Sequence, residues 1–190
     1  MTDETTDEPA RDRILAAAEE LFAERGFEAT PISRIADRAG VPKGLVHYYF
    51  TRKPDLLEAL VHRLPDERVP LDEVVVAGDV VESLRRLVAV LDATLDSSAV
   101  LSHLLWREAD THPAVLAALQ ARFERFVTVI GEVMSAALPR CRADVDSAAR
   151  LLASALSYRH SVARHEGDDP AIDRELRFLA TGLELSFESS

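Results

Sequence analysis

Cysteine and long apolar segments are scarce in this chain of 190 residues. Its one cysteine, Cys141, excludes an internal disulfide framework and fits a reducing compartment. No uninterrupted apolar run approaches the ~20 residues of a membrane span, and the acidic N-terminus is unlike a signal peptide. The sequence therefore predicts a cytoplasmic protein without membrane-spanning segments.

The motifs of common enzyme chemistry are also missing. The sequence contains no phosphate loop, no nucleophile elbow and no HExxH zinc motif. His160 and His165 are five residues apart, which does not place both side chains on one face of a helix. We therefore predict no catalytic residues, no metal site and no cofactor.

Lysine is rare, and basic residues are unevenly placed. The net charge of −11 would ordinarily disfavour nucleic acid. However, residues 1–28 carry a net charge of −6, residues 29–53 carry +4, and residues 54–190 carry −9. Both lysines of the chain, Lys43 and Lys53, lie in the basic segment. Such a segment attracts phosphates locally while the rest of the molecule repels them, which favours one orientation on DNA.

Residues 30–53 predict two short helices joined by a tight turn. Thr30 is expected to cap the first helix, with Pro31 at its first position. Gly40 supplies the left-handed conformation with which helices commonly end. Counted from Ile32, the fifth residue is small, the ninth is glycine and the fifteenth is aliphatic (Val46). This spacing is the steric signature of a helix-turn-helix.

The outward residues of the second helix suit contact with DNA. They offer a cation, a gap for close backbone approach, a methyl-contacting aliphatic side chain and amphipathic rings. These residues are Lys43, Gly44, Leu45, His47 and Tyr48, with Arg52 and Lys53 just beyond. Tyr49 is open to two interpretations, as a DNA contact or as a core aromatic beside Phe50.

This stretch resembles the TetR family of transcription regulators. The resemblance rests on ERGFEAT followed by RIADRAGVPKGLVHYYFTRKPDLL and spans about residues 11–64. It implies DNA contacts at Thr30, Arg34, Lys43, Gly44, Leu45, His47, Tyr48, Tyr49 and Lys53. The sequence departs from the family pattern at Pro31 and Pro42, where Ser or Thr is usual, and at His47, where tyrosine is usual. His47 is the residue expected to touch a base directly.

The apolar periodicity of the whole chain predicts an all-α protein of about nine helices. A disordered acidic tail (1–9) precedes a three-helix DNA-binding domain (10–53), whose first helix runs from about Arg11 to Arg25. A ligand-binding and dimerisation domain (54–190) follows, and its first helix (54–64) connects the two. Residues 65–78 predict a linker with a short helical turn, although a strand stays open. Further helices are expected from Asp79, over 99–109, from Pro113 to before Pro139, over 144–164 and from Pro170.

The last two predicted helices, the eighth and ninth, carry more apolar surface than one core requires. Small residues on the eighth, Ala153, Ser154 and Ser157, allow close helix approach. We expect a homodimer through these helices, as the family resemblance also implies; packing within a monomer is the alternative. Two copies of a helix-turn-helix about 34 Å apart would recognise an inverted repeat in double-stranded DNA.

The resemblance further implies a small-molecule effector whose binding changes the affinity for DNA. Candidate pocket residues are His103, Trp106, Arg107, Phe123, Phe126 and Tyr158, with His160 as a further polar anchor. The alternative is that the aromatic residues belong to the core. The resemblance implies a regulator, with repression expected. Two alternatives are a helical small-molecule-binding protein and a helical interaction protein, both without specific DNA binding.

Overall fold

The computed structural model describes residues 7–65, 69–139, 144–161 and 171–188, and within these ranges the protein is all-α. The chain divides into two compact units. The first comprises Met1–Leu64 and Val100–Leu119, and the second comprises Pro65–Ala99 and Gln120–Ser190. The described helices are α1 (Asp7–Arg25), α2 (Ile32–Ala39), α3 (Lys43–Tyr49), α4 (Lys53–Val61), α5 (Leu71–Val74), α6 (Val80–Ser97), α7 (Ala99–Ala109), α8 (Pro113–Ala137), α9 (Val145–Ser161) and α10 (Ala171–Glu188).

The first unit packs α1 to α4, α7 and the beginning of α8 around one apolar core. Its centre is the stripe along α1, where Ile14, Leu15, Leu21 and Phe22 are fully or almost fully buried. The sequence predicted this stripe from its helical spacing. Burial of each such side chain stabilises the fold by roughly 1.5–3 kcal/mol relative to exposure. α2 and α3 therefore pack against a buried apolar core.

The start of α1 corrects one prediction. The helix begins at Asp7, four residues before the expected Arg11, so the predicted disordered tail is wrong for residues 7–9. Pro9 does not prevent this, because it lies in the first turn, where an N–H has no earlier carbonyl to bind. Residues 1–6 of the predicted tail lie outside the described residues.

α4 also differs from its predicted bounds of 54–64. It begins at Lys53, where the N–H of Arg52 donates to Oδ2 of Asp55 at 2.8 Å. It ends at Val61, because the N–H groups of Arg63 and Leu64 bind the carbonyls of Leu60 and Val61 in a tighter turn. The boundary between the domains, predicted between residues 53 and 54, stays a prediction.

The second unit has its own core between α6, α8, α9 and α10. Its buried side chains come from the apolar stripes predicted for these helices, and include Leu84, Leu87, Ile130, Val133, Leu152, Leu156 and Leu176. The four-residue α5 is the helical turn predicted in the linker, and it explains why the described residues form ten helices where about nine were expected. The open alternative of a strand there is not found in the described part of residues 65–78.

Polar residues define the ends and crossings of these helices. Oδ1 of Asp79 accepts the N–H of Glu82 at 2.9 Å, which confirms the predicted cap of α6. Between helices, Nε of Arg85 on α6 donates to Oδ1 of Asp173 on α10 at 2.6 Å. This hydrogen bond lowers the pKa of Asp173 below its ordinary value. The predicted break at 167–169 and the start at Pro170 lie outside the described residues, as does Cys141.

The described residues contain neither a membrane-spanning helix nor a cluster of metal ligands. In the ranges that the structure covers, no helix is both long and apolar enough to cross a bilayer. The same residues contain no group of three or more His, Cys, Asp or Glu side chains arranged to hold a metal ion.

Candidate nucleic-acid interface

The turn between α2 and α3 fixes the direction in which α3 leaves the core. Gly40 has φ 65 and ψ 40, the left-handed conformation that a side chain rarely adopts. Its N–H binds the carbonyl of Asp37 at 3.2 Å, and the N–H of Val41 binds that of Ala36 at 3.0 Å. Ala36 and Val46 are both buried where the helices approach. The predicted steric signature is therefore present as a folded helix-turn-helix.

The predicted start of α2 is wrong by one residue, and this changes the role of Thr30. The residue that precedes the first turn is Pro31, which makes no side-chain cap. The hydroxyl of Thr30 instead turns back to α1 and the loop after it, 2.8 Å from the carbonyl oxygen of Gly26 and 3.2 Å from that of Leu21. Thr30 is fully buried, so its hydroxyl is not accessible to a phosphate.

One face of α3 is open to solvent. Lys43, Gly44, His47 and Tyr48 are all exposed, and they lie one turn apart in pairs along the same side of the helix. Tyr48 is 72% exposed, although it is a large aromatic side chain. Leu45 is half-buried at the edge of this face. We call these five residues the α3 face.

Tyr49 joins the α3 face to the core. It is half-buried, and its ring centre lies 5.1 Å from that of Tyr48 in an edge-to-face arrangement. On its other side, the ring of buried Phe50 lies 6.4 Å away. Both interpretations of Tyr49 therefore remain open, since part of the ring is exposed and part packs.

The cations of residues 29–53 lie in three kinds of environment. Arg38 binds Glu20 at 2.8 Å and Glu24 at 3.4 Å, and the hydrogen bond with Glu20 raises the pKa of Arg38. Arg52 binds Asp55 at 3.1 Å. Arg34 and Lys43 are exposed and form no ion pair within the described part of the chain. The positive charge available to a ligand is thus smaller and more localised than the sequence count indicates.

Lys53 occupies a third kind of environment. Its Nζ lies 4.3 Å from the centre of the Phe27 ring and 3.2 Å from the carbonyl oxygen of Glu28, to which it donates. Burial lowers the pKa of Lys53, and the charges of Glu28 and Glu108 oppose this effect. The Phe27 ring also contacts His112 edge to face, with 4.8 Å between the ring centres. Lys53 therefore helps to hold α4 on the loop after α1.

Arg11 on α1 was not among the residues that the sequence indicated. Its guanidinium carbon lies 5.6 Å from the centre of the Phe50 ring, immediately beyond the end of α3. Arg11 precedes the helix-turn-helix by about twenty residues of sequence, so no local pattern connects it with α3. Only the folding of α1 against α3 places it there.

The six candidate pocket residues fall in both units. His103, Trp106 and Arg107 belong to the first, where all three are exposed and Arg107 pairs with Glu108 at 3.2 Å. In the second unit, Phe126 is buried in the core, Phe123 is half-buried beside it and Tyr158 is 63% exposed. His160 binds Asp92 through Nε2 at 2.7 Å. An effector pocket built from these residues stays a prediction.

The part of the chain that contains α2 and α3 is similar to known bacterial regulators. Residues 14–60 match the family model for bacterial regulatory proteins of the tetR family. Over 59 residues the chain is 41% identical to the transcriptional activator FasR of Mycolicibacterium smegmatis, covering 31% of this chain and 27% of FasR. Over 63 residues it is 36% identical to the transcriptional repressor BepR of Brucella suis, covering 32% of this chain and 30% of BepR. The chain thus spans under a third of the length of these curated relatives.

The fold as a whole is similar to that of solved regulators. Native NalD, described as the secondary repressor of a multidrug efflux pump in Pseudomonas aeruginosa, superposes with a TM-score of 0.63. The match covers 93% of this chain and 98% of NalD at 22% sequence identity. FasR is named as a transcriptional activator, BepR as a transcriptional repressor and NalD as a repressor.

Proposed function

We propose that this chain, which belongs to the tetR family of bacterial regulatory proteins, binds double-stranded DNA through α3 and regulates transcription. The observation that carries the proposal is the α3 face, which the Gly40 turn holds away from the core. A single helix of this size fits the major groove of B-form DNA. Nothing in the packing of the first unit requires Lys43, His47 or Tyr48 to be exposed together.

Each side chain of this face has a chemical role in the proposal. Lys43 and, from α2, Arg34 are free to bind backbone phosphates. His47 offers ring N–H and N groups to base edges, and Leu45 and Tyr48 offer apolar contact to thymine methyl groups. Gly44 allows the DNA backbone to come close, and the exposed part of Tyr49 extends the contact. We leave Thr30 out of this set, and give Lys53 a supporting position at its edge.

We further propose that the protein acts as a homodimer through α9 and α10. Leu151 and Tyr158 are each 63% exposed and lie seven residues apart on one face of α9, and Phe178 on α10 is 78% exposed. Large apolar side chains exposed together commonly mark a protein interface. A two-fold pair of α3 helices would then bind an inverted repeat, with half-sites about 34 Å apart.

Release by a small-molecule effector, and repression rather than activation, complete the proposal for a cytoplasmic regulator. Tyr158 fits the dimer face better than a pocket, because it is exposed in line with Leu151. An effector that binds one of two dimer states more tightly would shift the population and change the affinity for DNA. The names of the relatives include both an activator and a repressor, so the sign of regulation needs a transcription assay.

The experiment is a selection from a random-sequence duplex library with the purified full chain. We expect the recovered sequences to share an inverted repeat, and binding to the recovered duplex to weaken steeply with added salt. Recovery of no preferred sequence at low ionic strength would contradict the proposal. In that case the alternative of a helical small-molecule-binding protein without specific DNA binding would be favoured.

A further inference from the structure

Arg11 is an exposed cation that lies near the C-terminal end of α3 but does not belong to the helix-turn-helix motif. It lies on α1, outside the residues 14–60 that match the family model. Its guanidinium carbon is 5.6 Å from the centre of the Phe50 ring, and Phe50 is the residue at which α3 ends. Arg11 forms no ion pair with a carboxylate among the residues whose side chains are described, which begin at Pro9.

The position of Phe50 connects Arg11 with the α3 face. Three aromatic residues follow one another here, with 5.1 Å between the ring centres of Tyr48 and Tyr49 and 6.4 Å between those of Tyr49 and Phe50. Arg11 covers the buried end of this series, and Tyr48 forms its exposed end. The charge of Arg11 is therefore placed beside the C-terminal end of α3, whereas Lys43 lies at the N-terminal end.

The way in which Arg11 is held leaves its binding groups free. A guanidinium over an aromatic ring is attracted by the face of the ring and not by a hydrogen-bond acceptor, so this contact uses none of its five N–H donors. The contact with the Phe50 ring also restricts the side chain, so less conformational entropy is lost when a ligand binds. An arginine arranged in this way is suited to a phosphate group, which accepts two parallel N–H donors.

We propose that Arg11 binds a backbone phosphate of DNA at the C-terminal end of α3, and so extends the interface from the helix-turn-helix onto α1. This inference rests on the proposed function, because it needs α3 to be in the major groove. Arg11 and Lys43 then grip phosphates on either side of the base pairs that His47 reads. Arg11 contributes affinity but no base preference.

The test compares Arg11→Gln with Arg13→Gln, using the duplex recovered by selection with the wild-type protein. Arg13 is also exposed on α1, but it is two residues away and therefore points to a different side of the helix. Binding is measured by fluorescence anisotropy at several KCl concentrations. We expect Arg11→Gln to weaken binding roughly tenfold or more at low salt. We expect the slope of log K against log salt to become shallower by about 0.9 for each protomer.

The salt slope separates a phosphate contact from a loss of folded protein, because a smaller active fraction does not change the slope. Arg11→Lys retains the charge without the planar guanidinium group, and it should keep the wild-type slope. An unchanged affinity and slope in Arg11→Gln would overturn the inference alone. So would an equal effect of Arg13→Gln, or a slope as shallow in Arg11→Lys as in Arg11→Gln. If selection recovers no preferred duplex, the proposed function fails and this inference fails with it.

Discussion

The Nζ of Lys53 lies 4.3 Å from the centre of the Phe27 ring and donates a hydrogen bond to the carbonyl oxygen of Glu28 at 3.2 Å. The first residue of α4 is thereby attached to the loop that follows α1. A cation over an aromatic ring contributes about 0.5–1 kcal/mol at an exposed site and more when it is partly desolvated. Lys53 is thus a structural residue as well as a candidate DNA contact.

The lowered pKa of Lys53 predicts a pH dependence of stability. Burial lowers its folded-state pKa below the ordinary 10.5, so the unfolded chain binds more protons between these two values. The free-energy cost of burying the charged ammonium group is fully present below the folded-state pKa. Stability should therefore rise with pH from that pKa up to 10.5. We expect the free energy of unfolding of the wild type, minus that of Lys53→Met, to increase over this window. Urea unfolding of both proteins between pH 8 and 11 measures it, and a decreasing difference would be inconsistent with the burial.

Thr30 should contribute to folding rather than to DNA binding. Thr30→Val keeps the shape of the side chain but removes the donor to the carbonyls of Gly26 and Leu21. We expect a loss of about 1–2 kcal/mol in the free energy of unfolding, with unchanged DNA affinity of the folded protein. The exposed Thr51 provides the control, since Thr51→Val should stay within about 0.5 kcal/mol of the wild type. If Thr30→Val is fully folded but binds DNA much more weakly than the wild type, Thr30 contacts DNA after all.

Substitution of Gly44 should affect folding stability and DNA binding in opposite directions. A Cβ added to Gly44 would meet nothing within 4 Å, so the fold itself does not require glycine there. Gly44→Ala should increase stability by up to about 1 kcal/mol, because glycine disfavours the helical conformation. It should nevertheless weaken DNA binding, because the added methyl group projects from the α3 face.

The matched control for Gly44 is Gly131 on α8. A Cβ there would lie 3.8 Å from Cβ of Ala149, which is an ordinary contact. Gly131→Ala should therefore leave DNA binding unchanged. Urea unfolding and anisotropy titration test both variants, and wild-type affinity in Gly44→Ala would show that DNA does not approach this position.

Phe178 should be needed for the dimer. Phe178→Glu places a charge in the exposed apolar surface of α10, and burial of that charge in an interface is strongly unfavourable. We expect a monomer in analytical ultracentrifugation. Since two linked half-sites exceed one by at least about 100-fold in affinity, specific DNA binding should fall by a similar factor. Val100→Glu introduces the same charge at a side chain of the first unit that is 67% exposed, and it should remain dimeric. If Phe178→Glu is still a dimer, α10 is not in the interface.

The sequence predicted the elements well because their signals are local. The Gly40 turn, the Asp79 cap and the bounds of α7 follow from residues within one or two turns of each other. The roles of Thr30, Arg38 and Arg11 could not be predicted in this way. Each depends on a partner 9 to 39 residues distant that only tertiary packing brings near, respectively Leu21, Glu20 and Phe50.

The charge available to a ligand also could not be predicted from the sequence alone. The net charge of residues 29–53 is a property of the sequence, but Arg38 and Arg52 are paired with carboxylates in the folded chain. A count of basic residues therefore overestimates the cations that DNA meets. The identity of the free ones, Arg34 and Lys43 within the described residues, could be established only from the structure.

The most direct test of the account is the affinity of Lys43→Ala and Tyr48→Ala for the selected duplex, with Arg125→Ala on the exposed surface of α8 as control. Lys43 and Tyr48 are exposed and support no core packing, so melting temperature and dimerisation should stay close to the wild type. We expect each of the two variants to lose specific DNA binding by at least about tenfold, and Arg125→Ala to keep it. Wild-type affinity in both Lys43→Ala and Tyr48→Ala would contradict the claim that α3 binds DNA.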